Sequence, residues 1–124
     1  MVLVLIVDDQ LSVARSLVKL LSASGFDARA VHSGAEALAF IRGNPVGLVL
    51  LDMSMPDMTG VEVLRALRVP GEFPNAPPVA MFSGDDDQGL HQEATRLGAI
   101  DFVSKINPAA LLRVVEAYAG PARS

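Results

Sequence analysis

Five times along this chain a short apolar run gives way to a stretch with helical periodicity, and few folds accept that alternation. Val2 to Val7 is continuous and rich in β-branched residues, the pattern of a strand buried on both faces. Behind it Leu11, Ala14, Leu17, Val18 and Leu21 share one helical face, with Arg15 and Lys19 outside it and Gly25 as the stop. Phe26 to Val31 alternates enough to be an edge strand, and Ser33 with Glu36 forms a capping box for a helix that Gly43 and Pro45 end. Val46 to Leu51 is another buried strand, followed by a helix marked by Val61, Leu64 and Leu67. Pro77 to Phe82 leads to Leu90, Ala94 and Leu97, and Ile100 to Val103 leads to a last helix with Asn107 as N-cap and Pro108 first in the helix. The pattern predicts an α/β domain: a parallel sheet with helices on both faces.

A length of 124 residues and a hydrophobic fraction of 51% suit one packed domain over residues 1–124. The chain has no cysteine, which excludes a disulfide framework, a thiolate metal site and thiol catalysis together. Net charge is −4 and the ten basic residues are scattered, so no direct contact with nucleic acid is expected. The apolar N-terminal stretch ends at two aspartates without a basic lead-in, which is neither a signal peptide nor a membrane span, and the expected compartment is the cytoplasm. Val69 to Pro78 holds four prolines and a glycine, which forbids helix and predicts a long surface loop at the amino-end side of the strands.

Four charged residues stand just past apolar runs: Asp8 and Asp9, Asp52, and Lys105. If those runs are neighbouring parallel strands, all four reach the carboxyl edge of the sheet, where open α/β sheets keep their chemistry. Singly, each has an ordinary explanation. A lone aspartate at such a junction caps a helix or opens a turn, and a lone lysine is a solvated charge. Together, three carboxylates at one edge repel one another, and unless one is protonated they call for a hard cation with oxygen ligands. Asp85 to Asp87 reads as the start of the fourth helix, His32 and His91 as ordinary surface residues, and Met53, Met55 and Met58 as gap-filling side chains.

The run ending in Asp8-Asp9, the stretch Asp52 to Gly60, Phe82-Ser83-Gly84 and Gly98 to Lys105 resemble, in order, a two-component response-regulator receiver domain of the chemotaxis-regulator type. The resemblance implies a flavodoxin-like (βα)5 three-layer sandwich with strand order 2-1-3-4-5. It implies that Asp52 is the phosphoacceptor, taking a phosphoryl group from the phosphohistidine of a sensor histidine kinase or phosphotransfer protein. Asp8, Asp9, Asp52 and the Ser54 backbone carbonyl would hold Mg2+, or Mn2+ in its place, with Asp8 acting through water. Met53, Ser54 and Gly84 would line the phosphoryl pocket, and Lys105 and Ser83 would contact phosphoryl oxygens. Ser83 and Phe102 would form the switch, acting on the face of the fourth helix, fifth strand and fifth helix, which a downstream protein reads.

The family's usual proline after the lysine is replaced by Ile106, so a trans bond between Lys105 and Ile106 is expected, and Phe102 stands for the frequent tyrosine. Ser54 and Asp85 flank the phosphorylation pocket in the family pattern, and a negative Asp85 there is expected to alter the lifetime of the acyl phosphate. Only Ala119 to Ser124 follow Tyr118, so no effector domain is expected within these residues, and the chain would act as a monomer or weak homodimer. The resemblance implies no enzyme beyond its own phosphorylation and dephosphorylation. The rival readings are a docking module that works without phosphorylation, a flavodoxin-like cofactor binder and an aspartyl phosphatase. The first is opposed by the intact set of Asp8, Asp9, Asp52, Ser83 and Lys105. Asp8-Asp9-Gln10 would repel the second's phosphate, and Ser54 stands where the third needs an acid/base aspartate.

Overall fold

The computed structural model describes residues 2–56, 58–83, 88–104 and 107–119, without the side chains of residues 83 and 88–90. Its elements alternate as the sequence pattern predicts: β1 (Leu3–Val7), α1 (Leu11–Ala23), β2 (Asp27–Val31), α2 (Gly34–Gly43), β3 (Leu48–Asp52), α3 (Gly60–Leu67), β4 (Val79–Ser83), α4 (Gln88–Arg96), β5 (Asp101–Ser104) and α5 (Pro108–Ala119). The five strands form one parallel sheet in the order β2-β1-β3-β4-β5, which is the doubly wound, flavodoxin-like topology.

The two faces of the sheet bury two separate cores. Val4, Ile6, Leu48, Leu50, Ala80, Phe82 and Val103 face α1 and α5, while Leu5, Val7, Val49, Leu51, Val79 and Met81 face α2, α3 and α4. Every residue of β3 is buried, which explains why its sequence is a continuous apolar run and not an alternating one. A fully buried leucine such as Leu50 contributes about 2 kcal/mol through the area it removes from water.

Element ends differ from the sequence expectation by one or two residues, and each shift has a local cause. Phe26 does not open β2. Its amide donates to the Leu21 carbonyl at 2.9 Å and that of Gly25, at φ +90°, donates to the Ser22 carbonyl at 3.1 Å, so both close the end of α1. Val46 precedes β3, and β3 extends to include Asp52. β4 starts at Val79, after the two prolines, and runs on to Ser83, and β5 is shifted one residue onward to Asp101–Ser104.

The expected capping box of α2 is only half formed: the Ser33 hydroxyl accepts from the Glu36 amide at 3.1 Å, but Glu36 reaches the amide of His32 and not that of Ser33. A complete box stands instead at Thr59 and Glu62, opening α3. Its Thr-x-x-Glu signature was present in the sequence and was not among the predicted caps. Asn107 caps α5 as expected, its Oδ1 accepting from the Ala110 amide at 3.1 Å. The loop between α3 and β4 lies at the amino end of the strands, tied down by an Arg42–Glu72 ion pair at 3.2 Å and by the Arg42 guanidinium over the Phe73 ring.

Candidate functional site

β1 and β3 are neighbours in register, Ile6 beside Leu50 and Val7 beside Leu51. One step further along the same register sets Asp8 beside Asp52 at the carboxyl edge of the sheet. Side chains alternate faces along a strand, so both carboxylates follow the Ile6 and Leu50 side, at the end where β1 leads into α1. Asp9 is brought in by the turn between them. Carboxylate oxygens of Asp8, Asp9 and Asp52 lie within 4.8 Å of one another, with Asp8 and Asp52 buried and Asp9 half-buried.

Local hydrogen bonds hold two of the three carboxylates from behind. Asp8 Oδ1 accepts from the Gln10 amide at 3.0 Å, and Asp52 Oδ1 accepts from the Ser54 amide at 3.1 Å. The N-cap of α1 is Gln10, which makes no side-chain cap bond, so neither Asp8 nor Asp9 serves the capping role that a lone aspartate would take. Beyond Asp52 the chain doubles back: the Gly60 amide donates to the Met53 carbonyl at 3.3 Å, and α3 starts directly against the end of β3. Met53 and Met55 are buried in the core beside this edge, in the gap-filling role expected of them, while Ser54 is exposed.

A set of three carboxylates this close, two of them buried, is a hard, all-oxygen donor set that fits a divalent cation preferring oxygen ligands. It is chemically unsuited to a soft ion, for which thiolate or imidazole would be needed.

Both histidines were read from the sequence as ordinary surface residues, and the structure corrects that. His32 follows the end of β2, and its ring Nδ1 lies 3.2 Å from the Asp8 backbone carbonyl, so Nδ1 carries the proton and donates. It buttresses the strand end that carries Asp8. The sheet register places it there: β1 and β2 pair Val7 with Val31, so the next residue of each strand is Asp8 and His32. The His91 ring stacks on Phe102, with centroids 4.3 Å apart and planes 20° from parallel. Phe102 is half-buried on β5 beside Met81, packed against the core under α2, α3 and α4.

Ser83 ends β4 beside Ser104 of β5, so its backbone reaches the same edge, but its side chain lies outside the described residues. Gly84, Asp85, Lys105 and Ile106 also lie outside them, and with them the expected trans bond and the reach of the lysine. Among the described residues, no helix is long and apolar enough to cross a membrane.

Comparison with known proteins places this edge in context. The family described as the response regulator receiver domain matches residues 4–116. The transcriptional regulatory protein FixJ of Rhizobium meliloti is 40% identical over 101 residues, covering 81% of this chain and 48% of that protein. The transcriptional regulatory protein KdpE of Mycobacterium tuberculosis is 35% identical over 105 residues, covering 85% of this chain and 45% of that protein. This chain thus spans about half the length of the curated relatives it matches. Among solved structures, Vibrio cholerae chemotaxis protein CheY4 aligns with a TM-score of 0.85 at 28% identity, covering 95% of this chain and 98% of that chain. A response regulator receiver protein from Burkholderia phymatum aligns with a TM-score of 0.81 at 32% identity, covering 98% of each chain. With the sheet order, the acidic strand ends and the family match in agreement, the chain belongs to the receiver domains of two-component response regulators, which are signalling modules and not classical enzymes.

Proposed function

We propose that the chain accepts a phosphoryl group on Asp52 in a Mg2+-dependent reaction and passes the event on through α4, β5 and α5. The observation that carries the reading is the carboxylate triad of Asp8, Asp9 and Asp52, with oxygens within 4.8 Å at adjacent strand ends. Phosphoryl transfer asks little covalent chemistry of a protein; it asks for in-line positioning and for charge to balance the transferred group. Asp52 sits at the end of a wholly buried strand, braced by the Ser54 amide, so the nucleophile is held in place.

In the proposed step a carboxylate oxygen of Asp52 attacks the phosphorus of a phosphohistidine on a sensor kinase or phosphotransfer protein. The new O–P bond makes an acyl phosphate, the P–N bond breaks, and its electron pair returns to the histidine nitrogen. Mg2+, when bound by Asp8, Asp9, Asp52 and the Ser54 carbonyl, supplies charge neutralisation on the phosphoryl oxygens. By match to the family motif, Met53 and Ser54 line the phosphoryl pocket and Gly84 leaves it room. Lys105 pairs with a phosphoryl oxygen, and Ser83 donates to another while Phe102 turns inward. A partner reaches this edge over α1, where Leu11 is 51% exposed and a cleft of about 350 Å3 runs between Ser12, Val13, Ser16 and Pro108.

The test is intact mass after incubation with Mg2+ and acetyl phosphate. Wild type gains one phosphoryl group; Asp52→Asn gains none. If wild type stays unmodified, or the variant is modified equally elsewhere, the reading fails.

A further inference from the structure

We propose that His91 is the positioning residue that couples Phe102 to the front of α4, so that a change in the Phe102 rotamer releases that helix; this rests on the switch role given to Phe102 above. Phe102 is pressed on one side against the core beside Met81 and covered on the other by the His91 ring at 4.3 Å. Phenylalanine has no hydroxyl with which to hold its ring in place, and among the described residues the imidazole is the ring that stacks on it. Two rings 20° from parallel at this separation gain from dispersion and from their charge distributions only while they overlap, and a rotamer change at χ1 displaces the ring by several ångströms.

From its middle to just past its end, α4 is also held by arginines of α3 and its C-cap. Arg65 of α3 pairs with Glu93, and Arg68, just past α3, donates from Nε to the Leu97 carbonyl at 2.7 Å and from Nη2 to the Gly98 carbonyl at 3.5 Å. Those anchors come from α3 and the residue that follows it, and not from β5. His91 lies in the first turns of α4, ahead of them. Among the described side chains, the helix is therefore held by arginines from Glu93 onward and latched ahead of them by a ring stack, and that stack is its ring contact with Phe102.

Amide hydrogen exchange along α4 tests this in wild type, His91→Ala, His91→Phe, Phe102→Leu and the His91→Ala/Phe102→Leu double variant. Each protein is measured with Mg2+ alone and after acetyl phosphate, with phosphoryl uptake checked by mass. Without phosphorylation, His91→Ala speeds exchange in α4 by about two- to tenfold, the range an aromatic pair sustains, while His91→Phe keeps wild-type rates. The double variant is no faster than either single one, because both remove the same contact. Phosphorylation speeds α4 exchange in wild type and in His91→Phe but adds little in His91→Ala. Wild-type rates in unphosphorylated His91→Ala, loss of protection in His91→Phe, or additive single effects would overturn the coupling. If wild type takes up no phosphoryl group while His91→Ala still loosens α4, the coupling stands and the proposed function is what fails.

Discussion

Gly60 lies so close to the end of β3 that a Cβ built on it would stand 2.3 Å from the backbone carbonyl of Asp52. The obstacle is main chain, the same main chain that aims the Asp52 carboxylate, so a side chain here cannot be absorbed by a rotamer change. Gly60→Ala is expected to cost about 1–3 kcal/mol, read as a lower denaturant midpoint at unchanged slope. Phosphoryl uptake should fall by more than the unfolded fraction explains, because the strain moves Asp52. Wild-type stability in this variant would show that the loop relaxes freely.

Crowding three carboxylates stores repulsion that a cation relieves. With divalent ions removed by EDTA, Asp9→Asn should be more stable than wild type by about 1 kcal/mol, the scale of two charges near 4 Å in a largely aqueous setting. Adding Mg2+ should reverse the order, since wild type binds the ion more tightly and gains stability by mass action. Thermal unfolding with and without Mg2+ checks this, and an unchanged order would argue that the triad holds no ion.

Asn107 supplies its side-chain oxygen to the Ala110 amide at the start of α5, just before Pro108. Replacing it with alanine should cost about 1 kcal/mol, whereas Asn107→Asp should cost little because it keeps the acceptor. Chemical denaturation of the three proteins distinguishes the cap from a general effect of the site: equal losses in both variants would mean the cap bond is not what stabilises α5.

Arg68 closes the end of α4 by donating to the Leu97 and Gly98 carbonyls. Arg68→Ala should cost about 1 kcal/mol, given that these bonds are solvent-exposed, and should raise hydrogen exchange in the last turn of α4. Exchange at the His91 end should change less. Uniform loosening of the whole helix would contradict the separation between a rear anchor and a front latch.

Much of this architecture was legible in the linear chain. A continuous apolar run can be satisfied only by burial on both faces, so β1 and β3 announced themselves, and the helical spacing of Leu11, Ala14, Leu17, Val18 and Leu21 announced α1. Asp8, Asp9 and Asp52 were visible as candidates because strand period and direction are local properties that carry a residue to one edge. The end of α1 was less legible: Phe26 reads as strand by composition, yet its amide is taken by the Leu21 carbonyl, a choice made by the helix it follows.

Distances and partners across elements belong to the tertiary structure alone. Nothing in the local pattern around His32 or His91 marks them, because each acquires its role from a residue on another element, Asp8 and Phe102 respectively. The sequence by itself determined which residues could be strand, helix, cap and acidic site, since those follow from periodicity and side-chain chemistry. Only the folded sheet decided that three carboxylates converge within 4.8 Å and that an imidazole closes over Phe102, because such contacts depend on strand order and register, which no single segment encodes.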